Sequence, residues 1–174
     1  IDTLVSSDMT GPITPTGLGG YKYIATFLIE KSNYVGIYFL NAKSDILDSF
    51  NEFKTDMQLL RSKFGRVDFK INIFQSDNAM EYNSFNFDEF LASRDIARRL
   101  MVEYEHAGQG MVEVYFRIIA GDARSMMLRG EVPPTWWPFA FAAAVHIRNR
   151  LVARESTESP YLMETGRKPD LRPL

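Results

Sequence analysis

The chain has 174 residues, enough for one ordinary domain with a short extension and too few for two full cores. Hydrophobic residues at 45% and charged residues at 24% are those of an average globular protein, which excludes a disordered tail, a collagen-like repeat or a coiled coil. No apolar run reaches the roughly 18 residues of a membrane span, no basic segment followed by an apolar stretch opens the chain, and the absence of cysteine excludes disulfides and thiolate zinc sites. With only His106 and His146 as imidazoles, a metal would have to be held by carboxylates.

The net charge of −2 is unevenly spread. Residues 1–93 carry 8 basic and 12 acidic side chains, residues 94–154 carry 9 and 6, and residues 155–174 carry 3 and 4. All nine basic residues of the middle segment are arginines, whose planar forks suit phosphate oxygens, although a solvated face accounts for the charge equally well.

In chain order, Leu4 to Met9 is expected to form a strand, followed by a turn-rich stretch containing Pro12, Pro15, Gly17, Gly19 and Gly20. Tyr21 to Glu30 and Tyr34 to Leu40 are aromatic and β-branched runs separated by Lys31-Ser32-Asn33, which predicts an antiparallel hairpin. Ser44 is placed to N-cap a helix in which Ile46, Phe50, Phe53, Met57, Leu60 and Phe64 recur at steps of three and four, with Gly65 as its C-cap. Lys70 to Ser76 predicts a strand ending at Asp77, Phe87 to Ser93 a short helix and Ala97 to Val102 a further strand. Glu103 to Gly110 is expected to be a mobile loop, from which a helix starting near Gln109 to Met111 runs to Leu128. Thr135 to Arg154 predicts a last helix whose opening turns, Trp136 to Ala144, are apolar all round, so that it is either fully buried or covers a partner. From Glu155 onward an irregular tail is expected.

This order of elements defines an α/β domain with a five-stranded mixed sheet: three antiparallel strands, then two parallel strands reached through helical crossovers. A right-handed crossover through the 44–64 helix sets the fourth strand beside the first. Asp8 and Asp77 would then close adjacent parallel strands, which lie about 4.8 Å apart, and a two-ion site needs cations roughly 3.5 to 4 Å apart. Glu113, in the first turn of the following helix and separated from Asp77 by 35 residues, supplies a third acid. Carboxylates gathered in this way repel and favour hard oxygen-preferring ions such as Mg²⁺ or Mn²⁺. Each acid also has a bland reading: Asp8 in a turn, Asp77 as a helix cap, Glu113 in an i,i+4 pair with Arg117.

Seven segments, taken together and in order, carry a resemblance. They are Asp-Met-Thr-Gly-Pro (8–12), Gly-Gly-Tyr-Lys-Tyr (19–23), Lys-Ser-Asp (43–45), Ser-Asp-Asn-Ala-Met-Glu-Tyr (76–82), Ala-Arg-Ser-Met (123–126), Arg-Asn-Arg (148–150) and Ser-Pro-Tyr-Leu-Met-Glu-Thr-Gly-Arg-Lys-Pro (159–169). In sequence and spacing the chain resembles the catalytic core of a copia-type LTR retrotransposon integrase, over essentially its whole length. The resemblance implies a ribonuclease H-like fold with residues 1–154 as the core and 155–174 as a C-terminal extension of it. It further implies Asp8, Asp77 and Glu113 as the ligands of two Mg²⁺ or Mn²⁺ ions. Gln109 to Val114 departs from the family's usual pattern, with Val114 where an arginine is usual, and Ala79 and the Phe116-Arg117-Ile118 segment depart likewise.

By that resemblance the activity is 3′-end processing and strand transfer of element DNA into target DNA, with water or a 3′ hydroxyl as the nucleophile and no covalent enzyme intermediate. Arg117 and Arg124 lie about 40° and 20° around the helix axis from Glu113, on one stripe, and are candidates with Asn78 and His106 for contacts to DNA. His106 either orients a phosphate or is simply an exposed loop histidine. The partners implied are DNA and further copies of the chain, with no membrane and no zinc in this fragment, and the setting is the nucleus or a cytoplasmic virus-like particle. The family's zinc-binding domain and basic region are expected on either side of this core. Two other readings stay open: a nuclease that cuts without joining, and an inactive or domesticated core acting as a DNA-binding or self-associating module.

Overall fold

The computed structural model describes residues 3–66, 69–77, 82, 85–100, 106–153 and 156–172, the side chains of 85 and 106–109 excepted. Period-two alternation and β-branched content make β1 (Leu4–Thr10), β2 (Tyr23–Ile29) and β3 (Tyr34–Leu40) an antiparallel meander. The β2–β3 turn closes on Asn33 in the left-handed region at φ 58°, a conformation asparagine tolerates better than most residues. β4 (Ile73–Ser76) and β5 (Ala97–Leu100) then join in parallel, giving the order β3-β2-β1-β4-β5. This is the expected mixed sheet.

Alternation along the strands divides the core into two layers. On one face Val5, Phe27 and Phe74 meet α1 (Ile46–Ser62) and α2 (Phe85–Ala92) in an aromatic cluster, with ring centroids 5.1 Å apart for Phe27–Phe53 and 4.6 Å for Phe50–Phe74. Gly36 permits that contact, because a Cβ there would stand 2.7 Å from the Phe53 ring. On the other face Leu28 and Val35 pack against Val112, Ile119 and Ala123 of α3 (His106–Arg129) and Ala144 and Val145 of α4 (Trp137–Arg150). β2 is buried on both sides, as its run, apolar but for Thr26, requires.

Several boundaries differ from expectation. Ser44 does not cap α1; a single 3-10 turn over Lys43–Asp45 precedes it, and the Asp45 carboxylate accepts from the Ala42 N–H at 3.0 Å. α1 ends at Ser62, and Gly65, at φ 71°, closes the turn beyond it. β2 and β4 start two and three residues later than their apolar runs, at Tyr23 and Ile73. The loop expected through Gly110 is helical from His106, because α3 gains enough from packing against sheet and α4 to absorb glycines that cost about 1 kcal/mol each; residues 103–105 of that loop lie outside the described residues. α4 stops at Arg150, where Leu151 turns to extended backbone.

The expected irregular tail contains α5 (Pro160–Thr165), which packs on α1, α4 and β3. Ser159 caps it by accepting from the Leu162 N–H at 3.2 Å, Pro160 occupies its first turn and Gly166 ends it at φ 70°. The opening of α4 meets neither of its two expectations fully: Trp137 and Pro138 are buried, while Trp136 and Phe139 are 45% and 57% exposed. The Trp137 indole donates to the Pro15 carbonyl at 3.0 Å and so ties α4 to the β1–β2 loop.

Candidate active site

Asp8 lies on β1 and Asp77 immediately follows β4. The parallel register pairs Ser6 with Gln75 and Ser7 with Ser76, which makes Asp8 and Asp77 the next step of the same ladder. Asp8 does not close its strand as expected; β1 continues to Thr10, because residues 8–10 still pair with β2. Alternation turns Val5, Ser7 and Met9 toward the aromatic layer and Ser6 and Asp8 toward α3. α3 carries Glu113 in its second turn rather than its first, since the helix starts at His106.

Asp8 lies within electrostatic reach of the other two acids. Burial pushes the Asp8 carboxyl above the usual carboxylate range, a hydrogen bond from the Met9 backbone works in the opposite direction, and the negative charges of Asp77 and Glu113 push it further up. Glu113 is nonetheless exposed, and no group of three or more His, Asp or Glu side chains among the described residues stands close enough to cage an ion. The chemistry of the donors still fits a hard divalent cation: all are carboxylate oxygens, and Mg²⁺ commonly takes only one or two carboxylates and fills its octahedron with water or substrate oxygens.

Arg117 and Arg124 are exposed and share the Glu113 side of α3, away from buried Val112 and Ile119. Among the described residues no ion pair joins Glu113 to Arg117. Arg124 also lines an apolar groove of about 460 Å³ with Thr10, Phe116, Met127, Trp137 and Phe141. Asn78 lies outside the described residues, and His106 opens α3 with its side chain outside the description. Other arginines of the basic segment serve the fold: Arg98 pairs with Asp88, Arg148 with Asp122, and Arg94 lies 3.8 Å over the Phe90 ring.

Two of the segments behind the sequence resemblance hold the fold together. Asn149 is buried and accepts from the Val35 N–H at 2.9 Å while donating to its carbonyl at 2.7 Å, so a side-chain amide stands where a neighbouring strand would pair with edge strand β3. Glu164, 2% exposed, accepts a fork from Arg61 at 2.8 and 2.9 Å, fastening α5 to α1.

Sequence reasoning passed over Thr26. It is the cross-strand partner of Asp8, it is 1% exposed, and its Oγ1 has no hydrogen-bond partner among the described residues. Leaving a buried hydroxyl unpaired costs roughly 1 to 3 kcal/mol. The available signal was a small polar residue inside the otherwise apolar run Tyr23–Ile29.

The strand order β3-β2-β1-β4-β5 with helices on both faces is the fold of solved integrase catalytic cores of the ribonuclease H-like type. The simian T-cell lymphotropic virus intasome in complex with PP2A regulatory subunit B56 gamma superposes with a TM-score of 0.73 at 16% identity, covering 99% of this chain and 59% of that one. The HTLV-2 integrase catalytic core domain in complex with magnesium, a trimeric form, gives 0.68 at 18% identity, covering 94% and 96%. The BIV integrase catalytic core domain gives 0.67 at 14% identity, covering 94% of each. No family model matches the chain.

By sequence the chain is homologous to copia-type Pol polyproteins of plant transposons. It is 31% identical over 147 residues to the retrovirus-related Pol polyprotein from transposon TNT 1-94 of Nicotiana tabacum, covering 84% of this chain. To the polyproteins from transposons RE1 and RE2 of Arabidopsis thaliana it is 28% and 26% identical, covering 86% and 100% of this chain. The chain spans about a tenth of the length of these curated relatives, 11%, 10% and 11% respectively. No helix among the described residues is long and apolar enough to cross a membrane.

Proposed function

We propose that the chain is a metal-dependent polynucleotidyl transferase core that processes 3′ ends of element DNA and joins them to target DNA. The observation that carries this reading is the parallel β1–β4 step, which brings Asp8 and Asp77 side by side and within the electrostatic reach of Glu113. Asp8, Asp77 and Glu113 would hold Mg²⁺ or Mn²⁺, two ions in the full site; bound there, the cations supply positive charge that activates an attacking hydroxyl and stabilises a leaving oxygen. The protein's own part is to position. Asp8 is fixed by the sheet, Asp77 follows directly on β4, Glu113 lies on α3, and the Glu113-side face of that helix offers Arg117 and Arg124 to phosphates. Asn78 and His106 belong to the same proposed DNA surface. Residues 1–154 form the core in this reading and 155–174 its extension. The working assembly is a homo-oligomer on DNA, acting in the nucleus or in a virus-like particle.

Incubation of the chain with Mn²⁺, a labelled DNA bearing a free 3′ hydroxyl and a target duplex tests the reading. Joined product from the wild type and its loss in Asp77→Asn are expected; cleavage without joining would mark a nuclease. The exposure of Glu113 and the open spacing of the acids favour a second reading, an inactive core that binds DNA or itself. That reading predicts DNA retention with neither cleavage nor joining, and no effect of Asp77→Asn.

A further inference from the structure

We infer that Thr26 is the positioning residue of the Asp8 carboxylate, holding it by a donated hydrogen bond when a divalent cation is bound; the inference rests on the proposed function above. β2 supplies Thr26 directly opposite Asp8, and residues opposed in this way share a sheet face. On that face Thr26 is flanked along its strand by Ile24 and Leu28, both fully buried and apolar, so Asp8 is its polar neighbour across the ladder. The Thr26 hydroxyl is sealed from solvent and has no hydrogen-bond partner among the described residues. Packing alone does not call for it: valine has nearly the same shape and carries no unpaired hydroxyl. The same cross-strand pair therefore sets a buried donor without a partner among the described residues directly opposite a carboxyl group.

Cation binding gives that donor its acceptor. A carboxylate that turns one oxygen to a metal ion leaves the other in need of a donor, and groups that hold a ligand in this manner typically account for 10- to 100-fold in metal affinity. Thr26 touches neither substrate nor ion in this assignment; it acts through Asp8.

The test is Mn²⁺ titration of the 174-residue chain by isothermal calorimetry, together with its apo melting temperature, for wild type, Thr26→Val and Thr26→Ser. Thr26→Val is expected to lose about tenfold or more in Mn²⁺ affinity while its apo melting temperature holds or rises, because an unpaired buried hydroxyl has been removed. Thr26→Ser, which keeps the donor, is expected to stay within about threefold of the wild-type affinity. Wild-type affinity in Thr26→Val, or a clear fall in its apo melting temperature, would overturn the inference, since either outcome gives the hydroxyl a purely structural role. A wild type that binds no Mn²⁺ would overturn the proposed function itself, and the two failures are thereby distinguishable.

Discussion

Two acids in this molecule, one buried and one half-buried, are treated in opposite ways. Glu164 in α5 sits at 2% exposure with an arginine fork closed on it, so the burial of its charge is offset by a partner. Asp8 in β1 is half-buried beside the negative charges of Asp77 and Glu113, with one backbone hydrogen bond for relief. The first arrangement is what a folded chain does with a charge it uses for stability. The second costs stability, and such costs gather where a ligand of opposite charge is to be received.

Breaking the paired site is expected to give the largest effect. Arg61→Met leaves the Glu164 charge buried and alone, and a loss of about 3 to 5 kcal/mol in unfolding free energy is expected from denaturant titration. Asn149→Leu strands the Val35 N–H and C=O at the sheet edge and is expected to cost about 2 kcal/mol in the same assay, with aggregation as its visible symptom. At the unpaired site the sign reverses: Asp8→Asn is expected to raise apo stability modestly. The pH dependence follows from the direction of the shift. A carboxyl whose folded pKa is raised is stabilising relative to the unfolded chain at low pH and loses that contribution as pH rises through the folded value, so Asp8→Asn should gain on wild type above that value and converge with it below the unfolded value near 3.8. Thermal melts from pH 3 to pH 8 check this. The smallest effect on stability, within about 0.5 kcal/mol, is expected for Arg117→Ala with Arg124→Ala, since both side chains are exposed. Their effect should appear instead in DNA binding, as a reduction of about 2 in the slope of log affinity against log salt.

The contrast also marks what the residue order made legible. The stripe Ile46, Phe50, Phe53 and Met57 announces α1, and the handedness of its crossover puts β4 beside β1, from which the adjacency of Asp8 and Asp77 follows. The clamp was less visible. Ser159-Pro160 and Gly166 are ordinary helix start and stop signals, but a six-residue helix has little periodicity, and the pairing of Glu164 with Arg61 spans 103 positions. The start of α3 was misplaced because Gly108 and Gly110 are local breakers, whereas the helix is held by contacts to sheet and α4 that local propensity does not contain. Thr26 was illegible for the same reason. A hydroxyl without a partner is a fact of three-dimensional surroundings, and only the register of β2 on β1 brings it opposite Asp8.

The convergence of Asp8, Asp77 and Glu113 on a divalent cation is tested most directly by anomalous diffraction from crystals of the chain soaked in Mn²⁺. The account predicts a manganese peak between the Asp8 and Asp77 carboxylates that is lost in Asp77→Asn. Crystals that take up manganese elsewhere, or not at all, while Asp8 and Asp77 remain ordered and accessible would contradict it.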